Sequence, residues 1–183
     1  MIAKRNKEKD MSLDQLFQER YSVRKYAEKP IEEEKLNQIL EAGRLAPTAC
    51  NYQPQRIFVL QSEEALSKVR AITSNVYNAP VVLLVCYDKR ESWKGAHFDE
   101  PQYDVGEMDA TIVTTCMMIK AQELGIGSLW ARGYRTKDVI ETFDLPEYLA
   151  PVCMLDLGYI AEGCEPSPLH AKRKPLAETV KVL

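Results

Sequence analysis

Apolar positions recur along this chain with two periods, and the switches between them mark its elements. Ser12 precedes a short helical stretch to residue 19, with Leu13, Leu16 and Phe17 on one face, and its hydroxyl suits the N-cap. Pro30 opens a second predicted helix. Glu32, Glu33 and Glu34 sit in its first turn, where negative charge complements the macrodipole. Its buried stripe is Leu36, Ile39, Leu40 and Gly43, and Pro47 closes it. Residues 47–55 are rich in turn formers and amides and read as a loop. A strand over 56–61 and a helix over 63–73 follow. Residues 81–87 are an unbroken apolar run, the signature of a strand covered on both faces. Residues 88–103 carry Trp93, His97, Phe98, Pro101 and Tyr103 without periodicity and read as a long loop or lid.

The longest predicted helix spans 104–124 and carries two apolar stripes. Met108, Ile112, Thr115, Cys116 and Ile119 form one; Ala110, Val113, Met117, Ala121 and Leu124 form the other. Such a helix should be buried nearly all round. At ~30 Å it spans a small domain, which has limited interior to cover it. Either a second copy of the chain covers one stripe, or this is the central helix of a monomer; the limited interior favours the second copy. Gly125-Ile126-Gly127 stops it. A strand over 128–134, a helix from Thr136 to residue 143 and a buried strand over 152–160 complete the pattern. Pro166, Pro168 and Pro175 then suppress regular structure. Residues 178–183 alternate polar and apolar and could pair as an edge strand, in the same subunit or another.

Composition narrows the class. The chain has 183 residues, 45% apolar and 28% charged, with a net charge of −3. That suits one globular domain over 12–183 behind a flexible charged tail, 1–11, which lacks the apolar region of a signal peptide. The near balance of charge argues against nucleic-acid binding, where a basic stripe supplies most of the affinity. The longest purely apolar run is too short for a membrane helix. Five scattered cysteines without a CxxC pair argue against a disulfide framework or structural zinc and suit a reducing cytoplasm. With only His97 and His170, a histidine-built metal site is not expected.

Arg20, Ser22 and Arg24 alternate in an extended stretch, so their side chains share one face. Two guanidinium forks and a hydroxyl match phosphate oxygens. Lys172-Arg173-Lys174 is a second basic cluster, and together the two could form a socket for a phosphate monoester; each alone would read as a solvated surface. Asn51, Gln53 and Gln55 offer paired donors and acceptors suited to a heterocycle edge, or simply to their own turns. Gly133 would let bare backbone approach a planar ligand, or mark a bulge. Gly125-Ile126-Gly127 follows a helix and is not a dinucleotide fingerprint. No nucleophile–base set, glycosidase carboxylate pair or P-loop is present, so in an enzyme the difficult step falls to a cofactor.

The segments 20–26 (RYSVRKY), 46–54 (APTACNYQP), 124–128 (LGIGS) and 172–176 (KRKPL) occur in the order seen in the FMN-dependent nitroreductase family, which the chain resembles from about residue 12 onward. The resemblance implies an α+β fold of three layers, helix/mixed sheet/helix, with a C-terminal arm exchanged in a homodimer. It implies two FMN molecules at the subunit interface. Arg20, Ser22, Arg24 and Arg173 would hold the phosphate, and Tyr21, in the same segment, would also contact the cofactor. Pro47, Thr48, Ala49, Asn51 and Gln53 would lie near the flavin ring, partly across the interface, and Trp130, Arg132 and Gly133 would run past flavin N5. The implied activity is hydride transfer from NADH or NADPH through flavin to a nitroaromatic, quinone or similar acceptor by a ping-pong mechanism, with Arg132 as candidate for stabilising charge. A non-catalytic flavin store or sensor, and a flavin-fragmenting or dehalogenating branch, are the competing readings. Gln55 stands where members often carry Trp, and residues 88–103 are the one candidate lid.

Overall fold

The computed structural model describes residues 11–95 and 103–183. The expected charged tail falls almost wholly outside these residues, and the expected lid does so in part.

Helix α1 (Leu13–Glu19) starts at Ser12, whose hydroxyl accepts from the Gln15 amide while the Gln15 side chain accepts from the Ser12 amide. This reciprocal capping box satisfies two donors that a helix start leaves orphaned, worth about 1 kcal/mol. Helix α2 (Glu33–Arg44) begins later than expected: Glu32 is its N-cap, and Pro30 lies outside. Its buried residues are Leu36, Ile39 and Gly43, with Leu40 half-buried. Strand β1 (Gln55–Leu60), helix α3 (Glu63–Ile72) and strand β2 (Val81–Asp88) follow. Where a long loop was expected, the short strands β3 (Lys94–Gly95) and β4 (Tyr103–Asp104) pair with each other. Helix α4 (Gly106–Glu123), strand β5 (Gly127–Ala131), helix α5 (Thr136–Phe143) and strand β6 (Leu149–Gly158) complete the frame.

The main sheet has the order β1-β2-β6-β5, and every one of these pairings is antiparallel. Along β2, side chains alternate between two cores. Val81, Leu83 and Val85 meet Cys153, Leu155 and Leu157 beneath α2 and α4. Val82, Leu84 and Cys86 meet Met154 beneath α3 and α5, represented by Leu66, Val69 and Val139. Two cores on opposite faces of one sheet make three layers, as expected.

Residues 20–27 form a strap along the sheet edge. Ser22 makes a parallel bridge to Ser128, and the Val23 amide donates to the Ser128 carbonyl at 3.0 Å. That bridge is the parallel component that makes the sheet mixed. Further on, Tyr26 bridges Ile160 and the Ala27 amide donates to Tyr159 at 2.8 Å. Val23, 1% exposed, pins the strap by its side chain.

Within one chain, two of the expected alternatives narrow. Helix α4 is not buried all round within one chain. Ala110, Val113, Met117 and Ala121 are fully buried, but Met108 is 54% and Ile112 42% exposed on the opposite stripe. The C-terminal stretch is not an edge strand of its own chain. Leu176–Thr179 is a helical turn, and the residues after it have no strand partner among the described residues. Pro175 at the N-cap leaves the backbone ready for a helical turn, and the Val180 amide closes it on the Leu176 carbonyl at 2.7 Å. Among the described residues, no helix is long and apolar enough to cross a membrane.

Candidate functional site

Arg20, Ser22 and Arg24 share a face, and the fold brings the strap and the distal loop together there. Arg20, Tyr21, Ser22 and Arg24 from the strap, and Ser167, Leu169, His170 and Arg173 from the loop after β6, line a cavity of about 220 Å³. Tyr21 fastens the two segments by donating from its hydroxyl to the Cys164 carbonyl at 3.0 Å. His170 lies edge-on to the Tyr21 ring at 6.1 Å, and its Nε2 stands 2.9 Å from the Gln18 carbonyl oxygen. Arg173 donates to the carbonyls of His170 and Lys172, which orients its fork. Arg24 donates to the Ser22 carbonyl at 3.1 Å.

The charge distribution is one-sided. Among the described residues, no carboxylate forms an ion pair with Arg20, Arg24 or Arg173. The Arg20 guanidinium is pushed below its ordinary proton affinity, first by burial and then by the like charge of Arg173. A partly buried guanidinium facing another without a counter-charge stores repulsion that an anion would relieve. A phosphate monoester fits this donor set: paired forks, a serine hydroxyl and an imidazole. Lys172 and Lys174 do not line the cavity. Both are exposed, and Lys174 pairs with Glu178 at 4.0 Å. Composition alone therefore overstated the distal cluster, and only Arg173 joins the socket. Ser167 and His170 were not singled out; they sit in a proline-rich irregular stretch with no periodicity to mark them.

The loop after α2 is separate from this socket. Pro47, Asn51 and Gln53 are exposed, and Thr48 and Ala49 are half-buried. Ala49–Asn51 forms a 3-10 turn whose first amide donates to Asp109 Oδ1 of α4 at 2.9 Å. Cys50, Asn51 and Gln53 have φ of 50°, 57° and 52°, the left-handed region that favours glycine. Each such residue costs about 1 kcal/mol, less for Asn. The loop retains this backbone through the Thr48 hydroxyl, which accepts from the Gln53 amide at 3.0 Å, and through Arg56, which donates to the Gln53 and Gln55 carbonyls at 3.3 and 2.9 Å. Asp109 lies on the first turns of α4, whereas Arg20 touches Met118, nine residues further along the same helix at a distance of 4.0 Å to its sulfur. At 1.5 Å rise per residue, those anchor points stand roughly 13 Å apart.

Trp130, Arg132 and Gly133 continue the edge strand beyond the point where the strap covers it. Trp130 is 39% exposed. Arg132 lies over the Tyr134 ring at 4.5 Å and donates to Thr136 Oγ1 at 2.9 Å. The bare backbone of Gly133 is approached by its own chain: a Cβ there would stand 1.8 Å from Asn75 Nδ2, and its carbonyl accepts from Thr73 Oγ1 at 2.8 Å.

One chain thus assembles a complete anion socket, a strained exposed loop some distance away, and an edge-strand end bearing an exposed indole. Comparison with known proteins places the chain in a family. Residues 17–76 and 67–159 match the family described as the Nitroreductase family. A crystal structure of a nitroreductase family protein from Clostridium difficile superposes with a TM-score of 0.85 at 39% identity, covering 93% of this chain and 98% of that one. A protein from Desulfovibrio desulfuricans crystallised in complex with FMN gives a TM-score of 0.75 at 25% identity, over 91% and 93% of the two chains. The FMN reductase [NAD(P)H] of Bacillus subtilis is 29% identical over 163 residues, 80% of this chain and 65% of that one. With the family matched over residues 17–159 and a member's structure superposing over 93% of it, this chain belongs to the Nitroreductase family.

Proposed function

We propose that the protein is an NAD(P)H-dependent FMN oxidoreductase that works as a homodimer. The observation that carries the reading is the basic socket. Guanidinium groups from distant parts of the chain close on one cavity, and among the described residues no carboxylate pairs with them. Arg20, Ser22, Arg24 and Arg173 would hold the FMN phosphate, with Tyr21 packing the two segments together. Relatives crystallised with FMN or named as FMN reductase support the choice of ligand.

The ring side would be finished by a second copy. The exposed stripe of α4, with Met108 and Ile112, continues into a groove formed with Leu16 and Phe17 of α1. A stripe of this kind in water is costly, and its burial against the same stripe of a partner gives an isologous dimer. Pro47, Thr48, Ala49, Asn51 and Gln53 would then border the ring together with Trp130, Arg132 and Gly133. The exposed apolar residues Leu176, Val180 and Val182 of the C-terminal arm would pack on the partner.

FMN, when bound, supplies the redox chemistry, accepting two electrons from NADH or NADPH and passing them to a nitroaromatic, quinone or similar acceptor. The chain's own part is to bind, to orient and to place charge. One open ring face serving donor and acceptor in turn predicts ping-pong kinetics. Arg132, exposed beside the expected ring position, would stabilise negative charge. Five free cysteines among the described residues suit a reducing, cytoplasmic setting. The test is an absorbance spectrum of the purified protein, followed by anaerobic titration with NADH and NADPH and a panel of acceptors. A yellow protein bleached by one nicotinamide and restored by an acceptor supports the reading. Colourless protein that refuses added FMN overturns it.

A further inference from the structure

Asp109 is a buried carboxylate, 3% exposed, in the early part of α4. Its Oδ1 accepts the Ala49 amide at 2.9 Å. Its other oxygen, Oδ2, is buried and has no hydrogen-bond partner among the described residues. Burying a carboxylate for a single hydrogen bond is unfavourable, so this contact is not explained by stability alone. The place it holds is the start of the turn where Cys50, Asn51 and Gln53 occupy left-handed backbone. Strained backbone persists only where surrounding groups over-determine it. Here the Thr48 hydroxyl and Arg56 hold the downstream end of the loop, and Asp109 holds its upstream end.

We infer that Asp109 is the positioning residue for the loop over 48–53: acting through the Ala49 amide, it sets the backbone that borders the flavin ring, and so governs ring binding rather than phosphate binding. This rests on the flavin reading above. Asp109 does not touch the ligand, because both of its oxygens are buried or engaged within the chain. Its effect should therefore fall on the ring half of the cofactor and spare the socket formed by Arg20 and Arg173.

Two substitutions break the same bond from either side. Asp109→Ala removes the acceptor. Ala49→Pro removes the donor, at a first-turn position preceded by an extended residue (Thr48, φ −133°, ψ 158°), which a proline tolerates. Asp109→Asn keeps an acceptor oxygen. The readouts are FMN affinity by fluorescence quenching, inorganic phosphate affinity by competition, the position of the bound flavin's visible bands, and hydrogen exchange at the Ala49 amide in the flavin-free protein. D109A and A49P should each weaken FMN about tenfold or more, the loss of one hydrogen bond to a charged group. Both should shift the flavin bands and leave phosphate affinity unchanged. D109N should stay within about threefold of the parent, and in D109A the Ala49 amide should exchange faster. Parental FMN affinity and bands in A49P overturn the inference, as does an equal loss of phosphate binding in both variants. If D109A does not fold, A49P and D109N decide. Failure of the unsubstituted protein to bind FMN would instead overturn the flavin reading, which separates the two outcomes.

Discussion

The anion socket and the loop at 48–53 contrast in what one chain completes. In the socket, two distant segments are locked together by the Tyr21 hydroxyl and by backbone bridges from the strap to Ser128 and Ile160, and the basic groups line one cavity. The loop is anchored from beneath by Asp109 and Arg56, yet presents its side chains to solvent. Charge recognition is local and strong, so one chain can preorganise it. A flat apolar ring needs more cover than one small domain offers, and on the reading proposed above a second copy would supply it while one ring face stays open. On that reading the uncovered stripe of α4 would be where the second copy sits.

The largest test removes the socket. Replacing Arg20 and Arg173 together with Ala should cost about a hundredfold or more in FMN affinity, as two charge-assisted bonds are lost. Equilibrium dialysis would measure it, and full retention would erase the contrast. Next, if the proposed homodimer forms through the α4 stripe, Ile112→Asp should sediment as a monomer where the parent sediments as a dimer. It should weaken FMN about tenfold although the socket is untouched. A monomer with undiminished flavin would show that one chain is sufficient after all. Gly133→Ala should destabilise the fold by no more than about 1 kcal/mol, because its Cβ displaces only the terminal amide of Asn75, and Asn75→Ala in the same chain should restore most of it. Urea unfolding would read both.

A smaller effect concerns the strap's footing. Asp156 is fully buried in β6 with neither oxygen partnered among the described residues, and burial pushes its carboxyl up to about 8. The Tyr26 hydroxyl of the strap is raised too, chiefly by burial and then by the charge of Asp156. The folded state therefore prefers protonated Asp156. That preference stabilises fully below the ordinary carboxyl range and is lost as pH rises from about 4 through about 8. Asp156→Asn should match the parent's melting temperature near pH 4. By pH 8 it should be the more stable of the two, measured by calorimetry. The smallest expected change is for Lys172→Ala with Lys174→Ala. FMN affinity should move by less than about threefold, since these side chains lie off the cavity. A loss comparable to that from Arg173 would widen the socket to the whole basic run.

Local signals explain what was legible. The stripe Leu36, Ile39 and Gly43, the unbroken run of β2, the cap at Ser12 and the stop at Gly125 depend on near neighbours, so spacing reveals them. The alternation of Arg20, Ser22 and Arg24 likewise needs only an extended backbone. Arg173 was separated from Lys172 and Lys174 by resemblance, because nothing local distinguishes three adjacent cations. His170 and Asp109 escaped notice. One sits in an irregular segment without a period, and the other resembles any acidic residue near a helix start. The β3–β4 pairing and the Ser22–Ser128 bridge are non-local, and a non-local register leaves no mark in short windows.

On the proposed reading, a socket that draws guanidinium groups from segments far apart in sequence would make pigment capture a late event in the life of each molecule. A ribosome-bound chain that has released Arg20 but not Arg173 has half a clamp and should emerge without its chromophore. A protease that nicks the exposed stretch around residue 165 should discharge the cofactor even while the sheet and both cores endure.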